Sequence, residues 1–155
     1  MALVKLNNRG VRSVSTFGSI SSLGTYKFIK KLTASSSATL SFQDGSSDVV
    51  LDSTYKEYLF TFKNLHPETN QADFTFQGNA AGGSGWNETI TSSFFRAYNN
   101  EANDSRALGY YTSGDQAQGT SFQMLIDDWG NDNDQNLSGW LRLFNPSSTT
   151  FVKHF

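Results

Sequence analysis

Tyr55-Lys-Glu-Tyr58-Leu-Phe60-Thr-Phe62-Lys-Asn64 is the stretch on which the fold class turns. Side chains of a strand alternate between faces, so Tyr58, Phe60 and Phe62 share one side, with Lys56 joining them at the start. Leu59 and Thr61 take the other. Aromatic and β-branched residues suit a pleated, half-buried surface, so a strand is expected here. Leu65-His66-Pro67-Glu68 then ends it, because proline donates no ladder hydrogen bond and restrains the residue before it.

Similar patterns lie on both sides. Upstream, Tyr26–Thr33 and Ala38–Phe42 read as two strands parted by Ser35-Ser36-Ser37, and residues 43–54 read as a turn leading to Val49-Val50-Leu51. Downstream, Asp73–Gly78 places Phe74 and Phe76 on one side. Ser93–Tyr98, Leu108–Tyr111 and Met124–Ile126 are further strand candidates. Gly139–Phe144 sets Trp140, Arg142 and Phe144 against Leu141 and Leu143, and Thr150–Phe155 closes the chain. Turn clusters recur about every 8–12 residues, as in sandwiches and barrels. No segment of a dozen residues reads as a helix; Gln116–Asp128 comes nearest, but Gly119 sits inside it. The expected class is all-β: an antiparallel β-sandwich, jelly-roll-like, preceded by an extended N-terminal arm.

Composition agrees. A chain of 155 residues makes one ordinary domain. Its 13 Phe, 6 Tyr and 3 Trp supply an aromatic core. Only 17% of residues are charged, so Ser, Thr, Asn and Gly carry the polarity, which suits short strands and polar turns better than long surface helices. A formal net charge of −2 offers no strong field toward nucleic acid or an anionic membrane. Without cysteine there are no disulfides, thiolate nucleophiles or cysteine-based zinc sites. The opening residues have no apolar stretch of signal-peptide type, and no run is long enough to insert in a membrane. Synthesis in the cytoplasm is expected.

Residues 1–24 differ from the rest. Lys5, Arg9 and Arg12 stand there without an acidic residue, among the apolar Leu3, Val4, Leu6, Val11 and Val14. This is either a frayed extension or an arm that orders against a neighbour. The apolar residues favour the arm, which divides the chain into an arm, 1–24, and a domain, 25–155. The strand-like Phe151-Val-Lys-His-Phe155 either pairs inside a sheet or precedes a further strand beyond residue 155.

Signals for chemistry are sparse. His66 lies in a His-Pro turn and His154 beside the last residue, and no Gly-x-Ser-x-Gly elbow is present, so no catalytic residue is assigned. Gly78–Gly85 lacks the Lys-Ser/Thr of a phosphate loop. Asp128, Asp132, Asp134 and Asn136 are oxygen donors of the type calcium takes. The EF-hand spacing fails, however, with Leu137 where glycine is needed and Leu143 where glutamate is needed, so the loop reads as solvated. No cofactor is expected. Trp86, Trp129, Tyr110 and Tyr111 are candidates for stacking on sugar rings, with Trp86 and Trp129 placed in loops. Trp140, inside an alternating strand, reads as core or interface.

Several blocks together carry a resemblance: Met1-Ala-Leu-Val-Lys-Leu-Asn-Asn-Arg-Gly-Val-Arg-Ser-Val14, Phe28-Ile-Lys-Lys-Leu-Thr-Ala-Ser-Ser-Ser-Ala-Thr-Leu-Ser-Phe42, Asp52–Asn64, Gly130–Asn136 and Leu143–Phe155. They resemble a poorly characterised family of structural proteins from marine tailed bacteriophages, over nearly the whole chain. Members of that family continue past Lys-His-Phe into another strand, so an end at Phe155 departs from the pattern. The resemblance implies a non-enzymatic virion protein, either a capsid decoration or head fibre or a tail or tail-fibre component. A homo-oligomer, first of all a trimer, is expected, with the arm docked on another capsid or tail protein. The runner-up is a carbohydrate-binding module that attaches to host-surface glycan.

Overall fold

The computed structural model of the chain describes residues 26–155. The assembly-arm residues Leu3, Val4, Lys5, Leu6, Arg9, Val11, Arg12 and Val14 lie outside them. The described chain is all-β with antiparallel pairing. In order come β1 (Glu57–Leu65), β2 (Ala72–Phe76), β3 (Ile90–Ser92), β4 (Phe95–Asn99), β5 (Arg106–Tyr110), a single 3₁₀ turn at Thr112–Gly114, β6 (Gln116–Gly119), β7 (Gln123–Trp129) and β8 (Leu137–Phe144).

The pairing is nested. β4 pairs with β5, β3 with β6, β2 with β7 and β1 with β8, every pair antiparallel. The chain therefore runs out to the β4–β5 turn and returns alongside itself. Hairpin chemistry fixes that turn. The Asn100 side-chain oxygen accepts from the backbone N–H of Asp104 (3.1 Å) and Ser105 (3.0 Å), while its amide donates to the Asp104 carboxylate at 2.6 Å. Asn103 takes the left-handed backbone conformation, φ 57°, that asparagine tolerates.

On β1 the period-two pattern governs packing. Tyr58 is buried and stands opposite Leu143, and Phe60 stands opposite Leu141, so these four form the inner face. Thr61 opposite Trp140 and Leu59 opposite Arg142 form the outer one. There Arg142 pairs with Glu57 at 3.2 Å and lies 5.2 Å from the centre of the Trp140 ring. Rings extend the inner layer: Phe42 meets Phe60 edge-on at 5.4 Å, Phe62 meets Phe74 at 4.9 Å, and Phe74 meets Trp129 at 6.3 Å. Edge-on pairs of this kind add about 0.5–1.5 kcal/mol to the burial of the rings themselves.

The core is thin. Val49, Tyr58 and Ile90 are its buried apolar residues among those described, and Gln77 and Gln123 are buried with them. Both amides are satisfied. Gln77 Nε2 donates to the carbonyls of Glu88, Thr120 and Ser121 at 3.0–3.1 Å. Gln123 Nε2 donates to the Gly114 carbonyl at 3.0 Å, and its oxygen accepts from the Ser92 hydroxyl. Gly114 has no room for a side chain, since a Cβ there would fall 2.7 Å from Phe94 Cγ.

Several expectations are corrected. Tyr26–Thr33 and Ala38–Phe42 join no ladder. Extended, serine-rich backbone becomes sheet only when a neighbouring strand takes up its hydrogen bonds, and no strand among the described residues pairs with it. No helix forms at Gln116–Asp128, in keeping with the lack of a helical segment in the sequence; the stretch supplies β6 and most of β7. Trp129 ends β7, opposite Ala72, instead of lying in a loop. Of the two places read for Trp140, core or interface, its 66% exposure on the outer face excludes the core. Thr150–Phe155 contributes one isolated bridge, His154 to Phe144, and seats Phe155 edge-on against Phe76 at 4.8 Å.

Candidate functional site

Two irregularities in the β2–β7 ladder border an open cleft. Ala72 pairs with Trp129 but Phe74 with Ile126, and Thr75 then pairs with Met124, so β7 carries extra residues at two points. Bulges of this kind bend a strand and re-aim its side chains. Here the first one turns Asp127 and Asp128 out beside Asp73. Asp128 holds φ at 53°, and Gln71, at the entrance to β2, holds 59°. The Asp73 carboxylate accepts from the Asp128 backbone N–H at 3.3 Å.

Arg96 reaches in from β4. Its guanidinium forms an ion pair with Asp127 and lies 3.7 Å from the centre of the Tyr111 ring, with Tyr98 at 5.0 Å. It is held by charge on one side and by ring faces on others, which fixes a side chain that is otherwise long and mobile. The resulting open cleft of about 310 Å³ is lined by Gln71, Asp73, Arg96, Tyr111, Met124, Asp127 and Asp128. Three carboxylates face one cation, so the lining is net acidic and rich in hydrogen-bond acceptors. Such a surface can take hydroxyl or ammonium donors.

The residues singled out from sequence do not converge. Trp86 is 45% exposed in the loop after the glycine-rich stretch. Trp129 is half-buried against Phe74, and its indole N–H is enclosed without a partner among the described residues. Tyr110 packs edge-on against Phe95, whereas Tyr111 packs against Phe94 and carries Arg96. Only Tyr111 of the four lines the cleft. In the acidic loop, the Asp132 carbonyl sits 3.0 Å from His66 Nε2 and its N–H donates to Gln135. Asp134 and Asn136 are exposed, and among the described residues no three acidic or histidine side chains gather as a metal site.

Asp73 and Arg96 escaped the sequence reading. Arg96 and Asp127 stand 31 residues apart, and no local pattern announces a pair made by strands that close around a long hairpin. A charged residue alternating with Phe95 and Ala97 inside a strand was the one available hint. No helix among the described residues is long and apolar enough to cross a membrane. No protein family, curated protein or solved structure matches the chain.

Proposed function

We propose that the chain is a non-enzymatic structural protein of a tailed-bacteriophage particle, a jelly-roll domain that assembles as a homo-oligomer and docks through residues 1–24. The observation that carries the assembly reading is the distribution of apolar surface. Few side chains are buried, while Phe95, Leu108, Tyr110 and Trp140 are each more than half exposed on paired strands. Exposed apolar area on this scale marks an interaction surface.

Nested pairing of eight strands supports the jelly roll, in which a long ribbon folds over into two sheets. In this reading one sheet runs β1–β8–β3–β6 and the other β2–β7–β4–β5. The ion pair from Arg96 on β4 to Asp127 on β7 favours the second order, because it bridges strands that would be neighbours there. The virion assignment rests on the sequence resemblance, and trimers are favoured because fibres and capsid three-fold positions both use them.

Cryo-electron microscopy of the particle that carries the chain tests this. Copies at symmetry-related positions, with residues 1–24 against another capsid or tail protein, are the expected result. A monomer with no fixed position on the particle overturns it. The cleft favours a second reading, host-glycan attachment, because its carboxylates suit the hydroxyls of a sugar. Glycan binding lost in Asp73→Ala and Asp128→Ala, with the oligomer intact, would establish it, whereas binding that depends on Trp86 alone would not.

A further inference from the structure

Directly opposite residues of β4 and β5 share a face, so the register puts Phe95 with Tyr110, Ala97 with Leu108 and Asn99 with Arg106 on one side. The other side carries Arg96 and Tyr98 and turns toward the acidic cleft. On the first side Phe95, Leu108 and Tyr110 are 61%, 75% and 72% exposed. Together they leave roughly 400 Å² of mostly apolar area open to water, given that aromatic residues bury 150–250 Å² each. That is about half of the roughly 800 Å² per partner found in stable interfaces, and it suffices for the central cluster of one. The surface is held in shape. Phe95 and Tyr110 pack edge-on at 6.0 Å, and Asn100 closes the turn with three side-chain hydrogen bonds.

Charge at the tip identifies the occupant. Arg106 lies at the turn end of this face, next to Glu101 and Asp104 in the turn, and all three are exposed. Among the described residues none of them forms an ion pair. Both signs therefore stand free at one end of one apolar face, which makes the face complementary to itself when two copies lie side by side in the same direction. Arg106 of each copy then meets the acidic turn of its neighbour. Antiparallel copies would place the tips at opposite ends and leave the charges unmatched.

We propose that the Phe95–Leu108–Tyr110 face of the β4–β5 hairpin is the self-association surface of this chain, covered by the same face of a second copy with the turns together. A two-fold axis along the hairpin generates this face-to-face arrangement, the same patch meeting itself in both copies. The inference rests on the homo-oligomeric reading above and says which surface makes the oligomer.

The test is sedimentation velocity of the full chain over a hundredfold concentration range, with far-UV circular dichroism as the folding control. Wild type associates as concentration rises. Leu108→Glu, at an exposed position, shifts the association at least tenfold to higher concentration with an unchanged spectrum. Arg106→Glu does so more mildly, and adding Glu101→Arg and Asp104→Arg restores association, which a general loss of folding could not produce. An oligomer that survives both Leu108→Glu and Arg106→Glu overturns this surface but leaves homo-oligomerisation standing. A wild-type chain that stays monomeric throughout overturns both.

Discussion

Arg96 joins two ribbons that are otherwise separate in sequence, and its worth can be measured. It combines a part-buried ion pair to Asp127 with the ring faces of Tyr98 and Tyr111. Removing one partner of such a pair leaves the other uncompensated, so Arg96→Ala should cost about 2–4 kcal/mol, read as a lower urea midpoint. Arg96→Lys should recover only part of this, since an ammonium has no planar face to lay on Tyr111. Tyr58 supplies a pH signature. Its hydroxyl donates to the Asp52 carbonyl at 2.9 Å, and burial raises its pKa above the ordinary value near 10.0. The folded state thus keeps a proton that the unfolded chain releases. This contribution is full below pH 10 and is lost as pH climbs through the folded-state value. Tyr58→Phe should cost about 1 kcal/mol at neutral pH through the missing hydrogen bond, and its stability should fall less steeply above pH 10 than that of wild type. Urea titrations at pH 7 and at stepped values above 10 check both parts.

Among the elements, β1 and β8 were legible because their aromatic and aliphatic residues alternate strictly and the two strands face each other with that alternation in step. β6 and β7 were not. Gln116–Gly119 carries no apolar residue but Ala117, and β7 is bulged, so a simple period cannot run through it. Buried Gln77 and Gln123 escape any apolar-pattern reading, since their place inside depends on carbonyls that arrive from distant turns. Residues 26–42 erred the other way, strand-like in composition yet without a partner among the described residues. The bulge at Asp128 makes its own prediction. A left-handed backbone costs a β-branched residue about 1–2 kcal/mol and glycine nothing, so Asp128→Val should destabilise by that amount and Asp128→Gly should be close to neutral. Equilibrium denaturation of the two variants reads the difference. Equal losses would mean that the carboxylate, and not the backbone, sets the residue type.

For the whole molecule, nesting dictates an order of assembly. The β4–β5 turn closes a short loop, whereas Glu57 must find Phe144 across most of the chain. Loop-closure entropy grows with separation, and non-local pairing is slow. In pulse-labelled hydrogen exchange during refolding, amides of β4 and β5 should gain protection first and those of β1 and β8 last. Protection of β1 and β8 ahead of the hairpin would show that the aromatic layer around Phe60, Phe62 and Phe74 nucleates folding instead. The fold class could be read from residue order alone, but this long-range pairing could not. Alternation reports which face a residue takes and is silent about which strand lies opposite.

The β1–β8 ladder also has a mechanical direction. Glu57 and Phe144 face each other at one end of it, so a pull applied at those two points peels the strands apart, loading one hydrogen-bonded pair at a time. A pull between Glu57 and Leu137 runs along the strands and loads the whole ladder at once. Strength under tension is therefore set by where the load enters the chain. The same strands would give way at low force when tugged from their shared end and hold at much higher force when dragged lengthwise.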